Sequence, residues 1–120
     1  MIPVCEPFIG EEELNNVIDC LKTNWISSKG EYIEKFEERF ANYCGCKYGV
    51  STTSGTTALH LALAALGINK EDELIVPAFT MISSVFAIVY TGAKPVLVDA
   101  EQETWNIDVT RIGKKITPQT

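Results

Sequence analysis

Residues 54–57, Ser-Gly-Thr-Thr, set one glycine among three hydroxyl side chains immediately before the apolar run Ala-Leu-His-Leu-Ala-Leu-Ala-Ala-Leu-Gly at 58–67. A small-residue turn that opens a helix suits a phosphate. Gly55 lets the backbone approach an anion closely, while Thr56 and Thr57 place hydroxyl donors beside the N–H groups that a first helical turn leaves unpaired. The helix dipole contributes about 0.3–1 kcal/mol to a bound anion and each charge-assisted hydrogen bond about 1.5–3 kcal/mol, so the donors dominate. Residues 47–53 read as a short strand, which puts the turn where a strand hands over to a helix, the ligand-binding edge of α/β sheets. The competing reading is purely structural: Ser54 caps a buried helix, as Ser before an apolar run commonly does.

The surrounding pattern supplies elements to hold such a turn. Residues 11–22 carry Leu14, Val17, Ile18 and Leu21 at i, i+3, i+4 and i+7, the stripe of an amphipathic helix, with Glu11, Glu12 and Glu13 at its positive end. Polar and small residues at 23–30 break that period, and Ile33, Phe36, Phe40 and Tyr43 resume it. From residue 47 onward the order reads strand, helix, strand, helix, strand. Gly67 and Gly92 end the helices and Pro77 ends the second strand. Ile75, Val76, Val96, Leu97 and Val98 form the continuous apolar runs expected of parallel strands covered on both faces, with right-handed crossovers. Asn106 and Asp108 can start a last helix over 109–116. No internal repeat, low-complexity tract or linker interrupts the chain. The expected fold class is therefore α/β, a parallel βαβαβ core preceded by two helices.

Composition narrows the function further. The chain has 120 residues, of which 46% are hydrophobic, enough for a packed core in a domain of that length. Its net charge of −6, with Lys114-Lys115 as the only adjacent basic pair, repels a phosphodiester backbone, so nucleic acid is not an expected partner. No apolar run reaches the ~20 residues needed to span a bilayer, and no membrane association is expected. Cys5, Cys20, Cys44 and Cys46 follow no secretory segment, which points to a reducing cytoplasm. The spacing of Cys44-Gly-Cys46 does not suit a Cys-x-x-Cys pair and the single histidine, His60, lies inside an apolar helix, so no metal is expected.

The Ser54–Gly67 string and its setting resemble the N-terminal part of the DegT-type sugar aminotransferases, enzymes that use pyridoxal 5'-phosphate. Further segments fit in order: Phe-Glu-Glu-Arg-Phe-Ala-Asn-Tyr-Cys-Gly at 36–45, Leu-Ile-Val-Pro-Ala-Phe-Thr at 74–80, Gly-Ala-Lys-Pro-Val-Leu-Val-Asp at 92–99 and Glu-Thr-Trp-Asn-Ile-Asp at 103–108. Residues 77–83 and 105–108 look most like the branch that includes GDP-perosamine synthases. The resemblance implies an N-terminal part of a fold-type I aminotransferase domain over 1–120. It also implies that Gly55 and Thr56 bind the cofactor phosphate and that Met81 covers the pyridine ring. Many relatives carry an aromatic residue at that last position; a thioether offers polarizable contact without a stacking face, and Met81 has an ordinary core contact as its alternative. The complete enzyme would move an amino group from glutamate to a nucleotide-linked keto-deoxy sugar, and would be a homodimer.

In the resembling family the lysine that tethers the cofactor and the acid that pairs with the pyridine nitrogen follow later strands. None of the eight lysines, at 22, 29, 35, 47, 70, 94, 114 and 115, matches the former position, and Asp99 matches a strand end where it would act as a turn acid. No catalytic residue is therefore expected within the chain. A few strands of a broad sheet would also leave open edges, which favour association. Two functional readings remain: the N-terminal portion of a nucleotide-sugar aminotransferase, or a noncatalytic phosphate-binding or assembly fragment.

Overall fold

The computed structural model describes residues 2–120, which divide into two compact units, Met1–Ser51 and Thr52–Thr120. The first contains α1, Glu11–Thr23, and α2, Glu31–Tyr43. Glu13 reaches back to accept the Gly10 N–H at 2.8 Å, satisfying a donor that the start of α1 would otherwise leave open. At the other end Asn24 turns left-handed (φ 61°), and the Trp25 N–H donates to Cys20 O at 3.0 Å. The two apolar stripes are present as expected but only partly covered, since Leu14, Val17, Phe36 and Phe40 are about half exposed and only Ala41 is buried in either helix.

Residues 47–53 do not form the expected strand. A strand exists through its ladder, and here the Ser51 N–H is committed to the Glu37 carboxylate instead, at 2.7 Å, with the Ser51 hydroxyl on the same oxygen at 2.8 Å. The backbone at Gly49 runs so close to α2 that a Cβ there would sit 2.5 Å from Glu37 O. Only glycine fits.

The second unit holds α3, Gly55–Ala65; β1, Glu73–Pro77; α4, Ile82–Tyr90; β2, Lys94–Val98; and α5, Val109–Ile112. β1 and β2 pair in parallel, Glu73 with Lys94 through Pro77 with Val98, with α4 as the crossover. Gly67 and Gly92 take φ values of 79° and 84°, the left-handed turns that end helical stretches without a Cβ penalty. Val76, Ile88 and Ala93 form the buried centre, with Leu63, Ile68, Leu74 and Val85 packed around it. Val98 is 1% exposed, whereas Leu97 remains 52% exposed, so the expected two-sided cover of the strands is incomplete among the described residues. The last helix stops at Ile112, short of the expected residue 116, and tightens into a 3-10 turn, Gly113–Lys115. The chain is drawn back to the start of β1: Thr117 Oγ1 donates to Glu73 Oε2 at 2.8 Å, and the Glu73 N–H to Gln119 O at 2.8 Å.

Candidate phosphate-binding site

The start of α3 divides its polar groups into two sets. Ser54 is the N-cap: its hydroxyl accepts the Thr57 N–H at 3.3 Å, and the Thr57 hydroxyl accepts the Ser54 N–H at 3.1 Å while donating to Ser54 O at 2.8 Å. The structural reading of Ser54 is thus realised, and Thr57 is drawn into the same reciprocal cap. The Ala58 N–H is likewise taken, by Ser54 O at 3.0 Å. That leaves the N–H groups of Gly55 and Thr56, which as first-turn positions have no intrahelical acceptor. The half-buried Thr56 hydroxyl stands outside the cap network.

Gly55 has ordinary helical backbone, so its lack of a side chain is not required by conformation; a Cβ built there would meet nothing within 4 Å. Room at Gly55, beside two N–H groups without an intrahelical acceptor, suits a phosphate. No carboxylate joins the cap network at this turn to oppose an anion. The donor set therefore fits the phosphate expected from the sequence.

Met81 is the N-cap of α4, with φ −61° and ψ 132°, and is 75% exposed. Met81 therefore makes no core contact among the described residues. It follows Pro77, which ends β1, by four positions, so its loop leaves the carboxyl end of the strand, and Thr80 Oγ1 lies 3.3 Å from Ser84 Oγ across the helix start. α3 and α4 pack against each other and place Gly55, Thr56 and Met81 in one unit. A hollow of about 580 Å³ in the other unit, lined by Glu12, Asn16, Tyr32, Lys35, Phe36 and Arg39, is an open groove over the helix stripes and shares no residue with this turn.

Other candidates resolve into structural roles. Asp99 serves as a turn acid: one carboxylate oxygen accepts the Ala100 N–H at 2.9 Å and the other faces Arg111 Nη1 at 3.3 Å. Ser27 closes the connection between α1 and α2 by accepting the Lys29 N–H at 3.3 Å. His60 lies 5.6 Å from the Tyr90 ring, centroid to centroid. All eight lysines are exposed. The division of labour between Thr56 and Thr57 escaped the sequence reading, although the Ser-x-x-Thr spacing of a reciprocal cap was visible in it. Phe79 and Trp105, which meet at 5.7 Å, were also missed, because residues 26 apart in sequence carry no local signal of contact.

Comparison with known proteins bears on the fold and the family. The chain is 51% identical over 119 residues to the GDP-perosamine synthase of Escherichia coli O157:H7, covering 99% of this chain and 33% of that protein. With the GDP-perosamine synthase of Caulobacter vibrioides it shares 47% identity over 119 residues, 99% of this chain and 32% of the relative. The fold superimposes with a TM-score of 0.91 on a sugar aminotransferase from Streptococcus pneumoniae solved in its PMP form, at 36% identity, covering 99% of this chain and 30% of that one. The chain thus spans about a third of the length of the relatives it matches. The model of the DegT/DnrJ/EryC1/StrS aminotransferase family matches residues 7–120, and the chain belongs to that family.

Proposed function

We propose that residues 1–120 are the N-terminal portion of a pyridoxal-phosphate-dependent aminotransferase domain that delivers an amino group from glutamate to a nucleotide-linked keto-deoxy sugar, as in perosamine formation. The observation that carries this reading is the start of α3, where Ser54 and Thr57 close the cap, the Gly55 and Thr56 N–H groups have no intrahelical acceptor, and a Cβ at Gly55 would meet nothing within 4 Å. Pyridoxal phosphate, when bound, supplies the electron sink for amino transfer. The chain's own contribution is to hold the phosphate with three donors at Gly55 and Thr56, and to lay Met81 against the pyridine ring. The phosphate donors fix position, and the thioether excludes water from one ring face without ring stacking. The likeness to two GDP-perosamine synthases supports the choice of substrate class. A complete protein of this kind would work as a homodimer, and the four free thiols suit a reducing cytoplasm. Among the described residues no helix is long and apolar enough to cross a membrane.

The test is an amide-resolved titration with pyridoxal phosphate and, separately, inorganic phosphate. The Gly55 and Thr56 amide signals should shift saturably with both ligands. Signals that stay fixed there while others move would sink the phosphate site. A second reading, a noncatalytic phosphate-binding or assembly fragment, is favoured for the 120-residue chain by the exposure of every lysine, because a lysine used for covalent chemistry is activated by desolvation or a neighbouring cation.

A further inference from the structure

Trp105 occupies a backbone conformation that a bulky residue rarely adopts, with φ 62°. The other such residue, Asn24, ends a helix, where asparagine is tolerated. Glycine or asparagine would meet the demand of the 105 turn with less strain, so the reason for tryptophan lies in its side chain. That side chain is not core, being 62% exposed. Its ring instead meets Phe79 at a centroid distance of 5.7 Å and an inclination of 56°, a tilted aromatic pair.

Both partners sit on loops at the carboxyl ends of the paired strands. After β2 the chain makes an excursion closed at its neck by the Ala100–Ile107 bridge and by the Glu101 N–H to Asn106 O bond at 2.9 Å. Inside it the Glu101 carboxylate accepts the N–H groups of Glu103 and Thr104, at 2.6 and 2.7 Å, and the Thr104 hydroxyl. Asn106 Nδ2 donates to Thr104 Oγ1 at 2.8 Å and the Asn106 N–H to the same oxygen at 3.4 Å, so the two residues flanking Trp105 are tied to each other. Across from it, Phe79 lies two residues before Met81 on the loop from β1 to α4. That loop is tied at its base by the Ala78 N–H to Val98 O, 2.7 Å, and at its exit by the Ser84 N–H to Met81 O, 3.0 Å. Between those two bonds the Phe79 ring meets Trp105 of the other loop.

We propose that Trp105 is a positioning residue: the turn wound on Glu101 presents its indole to Phe79 and so holds the 78–81 loop, with Met81, at the carboxyl end of β1. The importance of that position rests on the cofactor reading above, but the latch itself is a property of the unliganded chain. Trp105→Gly separates the backbone from the ring, because glycine keeps the left-handed turn without strain and deletes the indole. In that variant the melting temperature should hold or rise, while amide exchange at Ala78 and Ser84 speeds up about two- to tenfold, the range set by an aromatic pair. Ile88, in the buried centre, should exchange as before, and Trp105→Phe should restore Ala78 and Ser84 to within about twofold. Unchanged exchange at Ala78 and Ser84 in Trp105→Gly, or no recovery in Trp105→Phe, would overturn the latch. So would a lower melting temperature with all amides accelerating together, the mark of a merely structural tryptophan. Phosphate-induced shifts at Gly55 and Thr56, read in the same spectra, report the cofactor site separately, so either idea can fail without the other.

Discussion

Replacing Gly55 by alanine sets stability and ligand affinity against each other at a single methyl group. The backbone there is helical, and a Cβ would meet no atom within 4 Å, so alanine enters without a clash. Glycine in such a compatible position gives the unfolded chain extra freedom, and Gly→Ala stabilises by about 0.4–1 kcal/mol. For a chain of this size that raises the melting temperature by roughly 1–6 °C. The same methyl group fills the space through which an anion reaches the Gly55 and Thr56 N–H groups. Losing even one charge-assisted bond costs about 1.5–3 kcal/mol, a fall in pyridoxal phosphate affinity of roughly ten- to a hundredfold. Thermal melts and calorimetric titration of the same two proteins provide the comparison. A raised melting temperature with unaltered affinity would refute the phosphate cradle and leave only a capped helix. A lowered melting temperature would mean that the space before Gly55 is filled in the protein.

The neighbouring residues should divide as their hydrogen bonds do. Ser54→Ala loses the cap and should cost about 1 kcal/mol, or roughly 3–6 °C, with little change in affinity in the folded fraction. Thr56→Ala should do the opposite, moving stability by less than about 0.5 kcal/mol while weakening phosphate binding about ten- to a hundredfold; equal melting losses in the two variants would contradict the division. Acid should loosen the second unit, because the Thr104 hydroxyl bond holds the Glu101 carboxyl below its ordinary 4.5 and the Thr110 hydroxyl bond holds Asp108 below 3.8. Depressed carboxyls contribute stability that is complete above their unfolded values and is lost as pH falls through the folded ones. Melting temperature should therefore be level above about pH 5 and decline below it, less steeply in Glu101→Gln, and an identical decline in that variant would remove the carboxyl from the account. Borohydride treatment of the 120-residue chain with pyridoxal phosphate should label its exposed lysines diffusely; stoichiometric capture on one lysine would contradict the reading that none of them is the tethering residue.

Much of the fold was legible because helices announce themselves locally. The Leu14, Val17, Ile18 and Leu21 stripe and the glycines at 67 and 92 mark α1 and the ends of α3 and α4, and the structure places those elements within a residue or two of the reading. The start of α3 was legible for the same reason, since Ser54, Gly55, Thr56 and Thr57 are adjacent and the cap follows from first-turn geometry. Residues 47–53 failed as a strand because strand formation depends on a partner backbone, and here Ser51 is bonded to a side chain 14 positions earlier. The last helix was overextended for a related reason: Thr117 and Gln119, just beyond its expected end, bond Glu73, 44 and 46 residues away, a demand invisible to any local pattern.

Sequence alone thus determined the order of the helices and of the two paired strands, the residue types at the α3 start and, through its motifs, the family resemblance that the comparisons establish. Tertiary structure decided which donors at that start remain free, and that Met81 stands exposed at the head of α4. It also brought Trp105 onto Phe79 across two loops. The physical reason is range: caps and helical stripes are set by residues three or four apart, so they are written in the sequence. Exposure, strand pairing and contacts between loops depend on where the chain returns, and only the folded backbone sets that distance.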